Sequence, residues 1–567
     1  MNQEIKNCQN CHKDFIIEPE DFNFYEKIKV PAPTWCPECR MVRRIACVNG
    51  WHLFWRNCDK CGKRTMSMYS PETKLTVYCQ PCWWGDSWNG DDYAMDYDPS
   101  KPFLDQLKEL SEKTPHTALE TEYLTLKNCD YSNAIAYSKD CYLVSWADYC
   151  DNVFYSSILN GMKTSADCLR GWESELCYES TGFAKGYRVF FTENFDSCVD
   201  AWFSRNVYGC SNCIGCVNLR GASYQIFNVQ YSKEEYKKKL KEFGFDSWKN
   251  LKEFEKQARA FWLTKPYRQC NGNTFNLNTS GEYVYFSKNS KEGYMVNYAE
   301  NCKYCQFITV ATSKDCMDYS GWGNDAELIY ESPNVGAGAS NVKLSGFCFS
   351  DAQNVEYSWW CVNAKNNFGC ANLKRKSYSI LNKQYSKEEY EKLCEQIIED
   401  MKRNPYVDSE GKSWSYGEFF KPGFSKFPYN KSNAMRFFPK TKQEALEMDY
   451  SWDDTEAPAH QVTIKAADLP NTINETTEAV LDEIIECVNC KRGYKIVRGE
   501  LSLLRKMGLP VPHECPKCRE NRRFDRENKP GMYHRNCAKC SANIYTPYAP
   551  ERPEIVYCVQ CYQQEFI

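Results

Sequence analysis

A chain of 567 residues with 71 basic and 75 acidic side chains, net charge −4, has room for several domains and more than one apolar core, and its charge announces no polyanionic partner. No apolar run approaches the roughly 20 residues that span a bilayer, and the opening MNQEIKNCQNC carries neither a basic nor an apolar leader, so no membrane is expected. Thirty-four cysteines are many for this length, and free thiols in such number fit a reducing, cytoplasmic home.

The chain opens on four C-x2-C pairs, Cys8 with Cys11, Cys36 with Cys39, Cys58 with Cys61 and Cys79 with Cys82. They return at the other end as Cys487 with Cys490, Cys515 with Cys518, Cys537 with Cys540 and Cys558 with Cys561, each 479 residues after its counterpart. A loop that only had to be polar would not keep three successive spacings to the residue. A tetrahedral metal measures them: thiolates two residues apart occupy adjacent corners about 2.3 Å from a zinc ion, and two pairs complete one closed site. Four Zn2+ are therefore expected, two per terminal module, with the pairs joined in sequential order. The competing reading, a disulfide framework, requires an oxidising compartment.

The stretch from Cys8 to Arg44 carries a C-x2-C, the pair Phe24-Tyr25, a proline-rich approach and Cys36-Pro37-Glu38-Cys39-Arg40. It resembles the small bacterial zinc-ribbon family. The C-terminal echo keeps Cys515-Pro516-Lys517-Cys518-Arg519 but has Leu503-Leu504 in place of Phe24-Tyr25. The whole arrangement is similar to Cys-rich zinc-ribbon proteins of candidate bacterial phyla. The resemblance implies a ribbon fold for the two terminal modules, 1–84 and 487–567, and no activity.

After the first module an acidic stretch (Asp91, Asp92, Asp96, Asp98) reads as a solvated face, and a helical connector over 85–127 centres on Phe103, Leu104, Leu107 and Leu110. From about Asn128 the texture changes to short runs of Cys, Tyr, Val and Phe broken by Asn, Asp, Ser and Gly, which predicts β-structure. Small buried side chains suit a stacked parallel β-solenoid, the preferred version. The block then recurs. Gly215-Cys216-Val217-Asn218-Leu219 returns as Gly369-Cys370-Ala371-Asn372-Leu373, and Gln230 to Tyr236 returns unchanged at Gln384 to Tyr390. Each copy closes on a helix opened by a capping box, Ser232 with Glu235 and Ser386 with Glu389. The expected order is β-repeat copy 1 with its helix (128–265) and copy 2 with its helix (266–405). An aromatic strap (406–449) and a linker with a short helix (450–486) follow. The fold class expected is mainly β with short helices, two dual four-cysteine modules flanking a duplicated β-repeat.

The duplication discriminates among the central cysteines. Cys210-x2-Cys213-x2-Cys216 looks like a metal motif, but Ala364 and Asn367 face its first two members in the second copy. Ligand sets should survive duplication together, so these read as packing thiols.

Catalysis finds little support. None of His12, His52, His116, His460, His513 or His534 completes a known motif, and a zinc closed by four thiolates has no open position. Binding fares better. Arg40, Arg43 and Arg44 follow the second knuckle and Arg519, Arg522 and Arg523 follow its echo, while Arg56 and Arg535 precede the third. Interleaved with Trp51, Trp55, Trp83, Tyr533, Tyr545 and Tyr557, they suggest phosphate contacts and stacking platforms for RNA or DNA. Against this stands a neutral account in which the arginines offset the charge of each tetrathiolate centre and the modules dock a protein partner. The sequence thus favours a non-catalytic, nucleic-acid-binding zinc protein over a protein-interaction scaffold with structural zinc, and both over an enzyme with a site between the repeats.

Overall fold

The computed structural model describes residues 2–272, 275–408, 410–455 and 461–566. It is mainly β, with twelve α-helices among the described residues and two large, open, mostly parallel sheets of eight and twelve strands. The chain divides into two compact units, each built from two separate segments. Unit 1 comprises Met1–Leu119 and Cys270–Asp454; unit 2 comprises Glu120–Gln269 and Thr455–Ile567. Each terminal cysteine module therefore packs with one copy of the central β-region: the N-terminal module with the second copy, the C-terminal module with the first.

In unit 2 the strands Asn133–Ala136, Ser145–Asp148, Ser157–Asn160, Leu169–Trp172, Thr181–Ala184, Glu193–Asp196, Arg205–Tyr208 and Val217–Arg220 form one parallel sheet. Successive strands keep one constant offset, as in Ser145↔Ser157 and Arg205↔Val217, a step of 12 in the numbering. Intervening segments pair at the same step, for example Lys163↔Glu175 and Val199↔Ser211. Within each step the backbone bends at every third residue, which adopts a left-handed conformation: Tyr137, Asp140, Leu143, Trp146, Tyr149 and Asn152 have φ between 48° and 56°. Side chains of L-residues disfavour this region. Asn and Gly recur there, at Asn194, Asn206, Gly209 and Gly215.

The residue after each bend points inward, so the core has a period of three. Cys129, Ile135, Cys141, Val144, Ala147, Cys150, Val153, Leu159 and their successors to Cys216 are all buried, and every member of this core carries a number divisible by three. Where the position is polar, the hydroxyl satisfies backbone groups on either side of it. Ser156 Oγ donates to the Phe154 carbonyl at 2.7 Å and accepts the Cys168 N–H at 2.9 Å. The thiols make the same local bond more weakly, Cys177 Sγ to the Glu175 carbonyl at 3.7 Å and Cys198 Sγ to the Asp196 carbonyl at 3.4 Å. Cysteine and serine are thus two fillings of one column, and the packing role expected of the central cysteines is what their burial shows. Large rings are matched by glycine: a Cβ on Gly186 would lie 2.6 Å from the Phe195 ring.

Unit 1 repeats the plan with interruptions. Gly281↔Gly293 and Gln353↔Lys365 keep the step seen in unit 2. Between them the step lengthens, to 14 from Gln306 to Ser320 and to 13 from Ser332 to Ser345, with Met317↔Tyr330 and Ser340↔Gln353 matching the latter. The inward positions shift phase accordingly, from Val296, Ala299, Cys302 and Cys305 to Cys316 and Tyr319 and on to Ala339 and Val342. The longest strands, Met317–Gly323 and Ala326–Gly336, occupy this wider region. Each stack ends on an antiparallel turn-back and a helix, Lys233–Phe243 or Lys387–Arg403, opened by the expected capping boxes.

Three expectations need revision or completion. The stretch 461–475, read as a tether, is ordered: Ile464–Lys465 pairs with Ile485–Glu486, Leu469 and Ile473 are buried, and Trp248 N–H donates to the Asn471 carbonyl at 2.9 Å. Residues 456–460 of that linker, with His460, lie outside the described residues. The helix expected over 478–485 is a single 3-10 turn, Glu478–Leu481, followed by the Ile485–Glu486 strand. The aromatics from Tyr416 to Phe437 pack inside unit 1, with Phe420 and Phe424 against Trp359 at 5.6 and 5.7 Å between ring centres.

Candidate metal centres

The sixteen knuckle cysteines gather into four groups: Cys8, Cys11, Cys36 and Cys39; Cys58, Cys61, Cys79 and Cys82; Cys487, Cys490, Cys515 and Cys518; Cys537, Cys540, Cys558 and Cys561. Within each group the four sulfurs lie within 4.8 Å of one another, and the pairing is sequential. Local structure delivers them in the same way each time. The first pair sits on the tip of a hairpin or short turn, as between Phe54–Asn57 and Arg64–Ser67. The second pair opens a helix, with Cys36, Cys79 and Cys515 as N-caps and a proline or Gln-Pro behind them in the first turn.

The donor geometry suits a tetrahedral ion. Sulfurs at about 2.3 Å from a common centre stand about 3.8 Å apart along a tetrahedron's edge. One cross-pair separation in each group is 3.7 Å (Cys11 to Cys36), 3.8 Å (Cys61 to Cys79), 3.7 Å (Cys490 to Cys515) and 3.8 Å (Cys540 to Cys558). A backbone N–H donates to the first sulfur of every group at 3.2 Å: Cys36 to Cys8, Cys79 to Cys58, Cys515 to Cys487 and Cys558 to Cys537. Burial pushes these thiols up, yet the convergent amides prevail and hold Cys58 and Cys487 at about 7 and Cys537 at about 6. The first sulfur of these groups thus favours the thiolate form, whereas burial pushes Cys79 and Cys515 of the same groups up to about 12 and about 11.

The arginines lie elsewhere than on an open surface. Arg40, Arg43 and Arg44 project from the helix Pro37–Ile45 and are at most 1% exposed. Arg40 Nη2 meets Asp318 Oδ2 at 2.8 Å and Arg44 Nη1 meets Asp318 Oδ1 at 3.1 Å. Arg43 pairs with Glu331 and, at 3.3 Å, with Glu418. Unit 2 repeats the arrangement on the helix Pro516–Arg526. Arg519 and Arg523 grip the two oxygens of Asp167 at 2.8 and 2.7 Å, and Arg522 takes Glu179 at 2.6 Å. Arg519 also reaches Glu500 at 2.9 Å, and Arg522 also pairs with Glu514. Burial disfavours each charge, but the carboxylates outweigh it at Arg40, Arg43, Arg519 and Arg522, whose guanidinium groups are held protonated even more firmly than usual.

Arg56 and Arg535 serve their own modules. Arg56 donates to the Ser70 and Leu75 carbonyls at 3.4 and 3.2 Å, and Arg535 to the equivalent Ala549 and Glu554 carbonyls at 3.3 and 3.1 Å. All eight arginines assigned to phosphates by the sequence thus have partners within the protein, and five of them, Arg40, Arg43, Arg44, Arg519 and Arg523, are fully buried. Of the aromatics, Trp83, Tyr69, Tyr548 and Tyr562 are buried, whereas Trp55, Tyr533 and Tyr545 stay exposed. Trp55, Arg56, Asn57, Asp59, Arg64 and Pro71 line an open hollow of about 440 Å³.

The partners Asp318, Glu331, Glu418, Asp167, Glu179 and Glu500 were not singled out in the sequence. The signal that could have found two of the pairs is their recurrence: Asp167 and Glu179 stand one strand-to-strand step apart, and so do Asp318 and Glu331. No family model matches the chain, and no curated protein does either. One solved structure to which it is similar is described as that of a "putative acetyltransferase from Desulfovibrio desulfuricans G20". The identity is 11%, over 51% of this chain and 86% of that one, with a TM-score of 0.10, too low a likeness to carry an argument.

Proposed function

We propose that the protein is a non-catalytic interaction scaffold: two parallel β-solenoids, each clasped by a terminal ribbon module that holds two structural zinc ions. The constant parallel register and the triplet core support the solenoid reading. Four thiolates per centre and sulfur separations near the tetrahedral edge favour zinc over harder cations. The observation that carries the scaffold reading over nucleic-acid binding is the burial of the arginines. A guanidinium paired with a carboxylate inside the protein offers no donor to a phosphate.

A surface suited to a protein partner occurs in each unit. Tyr137 stacks on Tyr149 with ring centres 5.0 Å apart, and Phe286 on Tyr298 at 4.9 Å, both nearly coplanar and all exposed. Each pair begins at the same short motif, Tyr137-Ser138-Lys139 and Phe286-Ser287-Lys288. Exposed, rigid aromatic pairs supply contact area at low entropic cost.

Metal analysis of the purified protein should return four zinc ions per chain; one or none would remove the metal part of this reading. Binding to mixed RNA and DNA pools across a salt series should show no steep salt dependence. A slope corresponding to several phosphate contacts would restore the nucleic-acid reading and place it on cations other than these eight arginines.

A further inference from the structure

Three features outside the ligand shells attract attention: the columns of core thiols, the exposed aromatic pairs, and the arginine–carboxylate contacts. The thiols are buried and already have a packing role, and nothing delimits an occupant for the aromatic pairs. The arginine contacts go further, because they recur with the same geometry in two sequences that otherwise differ.

In each unit one helix does two things. Its N-cap cysteine and the cysteine one turn on complete the inner metal group, Cys36 with Cys39 or Cys515 with Cys518. Its next two turns carry arginines at positions i, i+3 and i+4, which share one face. The first and third close on one aspartate of the β-stack, Asp318 or Asp167, and the second on a glutamate one strand further along, Glu331 or Glu179. The contacts also touch the residue just before the N-cap cysteine. Arg40 Nη1 donates to the Trp35 carbonyl at 2.6 Å, and Arg522 pairs with Glu514, which also accepts from Asn489 Nδ2 at 2.6 Å. A chain of direct contacts therefore runs from the stack carboxylates to the backbone that presents the thiolates.

We infer that each inner metal centre and its carboxylate pair form one coupled lock. The metal fixes the helix so that three guanidinium groups reach two carboxylates, and the closed ion pairs in turn hold the metal in place. Coupling of this kind is reciprocal in free energy: the factor by which metal binding favours the closed ion pairs is the factor by which closed ion pairs favour metal binding. Groups that hold the ligand-bearing segments commonly change metal retention by about 10- to 100-fold. The outer centres, Cys58 to Cys82 and Cys537 to Cys561, lie on other elements and reach the stacks without an arginine–carboxylate pair: the Trp83 carbonyl accepts from Lys374 Nζ at 2.6 Å, and Tyr562 Oη donates to Asn218 Oδ1 at 2.9 Å. The inference rests on metal occupancy of these sites, and it assigns the two inner centres a role distinct from the two outer ones: they report whether a module is seated on its stack.

The test is chelator competition on zinc-loaded full-length protein, followed by mass-spectrometric mapping of newly alkylated cysteines. In Asp318→Asn one equivalent should leave at least tenfold faster, with Cys8, Cys11, Cys36 and Cys39 alkylated first. In Asp167→Asn the accelerated equivalent should map to Cys487, Cys490, Cys515 and Cys518. Tryptic cleavage after Arg40, Arg43 and Arg44, or after Arg519, Arg522 and Arg523, should rise in the matching variant alone. Unchanged release in both variants, or equal acceleration at inner and outer centres, would overturn the inference. Absence of zinc from the unaltered protein would instead count against the metal assignment itself. Should Asp318→Asn fail to fold, Arg44→Lys keeps the charge but loses the planar fork that spans Asp318, Ser320 and Gln306. It should give the same selective acceleration, and an unchanged rate in that variant would be equally decisive against the lock.

Discussion

A guanidinium group on a helix that follows a metal knuckle has two natural uses, an external phosphate or an internal carboxylate, and sequence spacing alone does not separate them. Arg43 and Glu331 lie 288 residues apart and Arg523 and Asp167 lie 356 apart, so no local pattern connects them. The ligands were legible because identical spacing in two copies is itself a geometric measurement; the arginine partners were not, because pairing is a property of the fold. His116 shows the same limit. In sequence it is an isolated histidine, whereas in unit 1 it is fully buried, its Nε2 donating to the Ser111 carbonyl at 2.8 Å. Burial, aided by the charge of Lys426, pushes it down to about 3. Its neutral form is the folded form, so its contribution is complete above the ordinary histidine value near 6.5 and is lost as the pH falls from there toward 3. Each unit of that interval costs about 1.4 kcal/mol. Thermal unfolding at pH 7 and pH 5 should show a loss of stability that is smaller in His116→Gln; equal losses in both proteins would contradict this account.

At the level of elements, the β-character and the capped helices could be read, but the period of the strands could not be read by looking for alternation. The stack runs on threes. Every interval along the series Cys129, Cys141, Cys150, Cys168, Cys177, Cys198 and Cys216 is a multiple of three. That regularity was present in the sequence and is explained by the bend at each third residue. Since serine and cysteine occupy the same inward column, Cys177→Ser should change stability by less than about 1 kcal/mol in denaturant unfolding, because the hydroxyl inherits the bond to Glu175. Cys177→Leu adds bulk beside Gly186 and the Phe195 ring and should cost about 1–3 kcal/mol. Comparable effects of the two substitutions would show that the column is not close-packed.

Across the whole chain, the modules at the two ends belong to different units, and each unit joins a terminal segment to a central one. Sequence symmetry made the plan of ribbon, repeat, repeat and ribbon visible. It could not show which ribbon seats on which repeat, since both modules carry the same arginine offsets. The seats differ in their surroundings: Glu418 of the aromatic segment completes one, and Glu255, bound by Arg526 at 2.7 Å, completes the other. At the position equivalent to Arg526 the N-terminal module has Cys47. Removing an outer metal tests how far this modularity extends. Cys79→Ser should lose one zinc equivalent and open the hairpin around Arg56 to trypsin, while the Met317–Gly323 and Ala326–Gly336 strands keep their amide protection. Spread of the damage into those strands would show that the outer centre supports the stack as well.

The three-residue bend has a consequence for how such a chain can change length. Because inward and outward positions alternate on a count of three, and strand partners recur once per full step, insertions and deletions obey an arithmetic. Adding or removing one whole step restores every partner and every facing. A shift by a single position displaces all later side chains from interior to exterior until a compensating irregularity appears. Unit 1 contains lengthened steps of this kind, and they fall on the long strands on which the arginine helix sits. The least regular part of that stack is also the part that the arginine helix grips, and the length of the chain between landmarks is a reading frame in its own right.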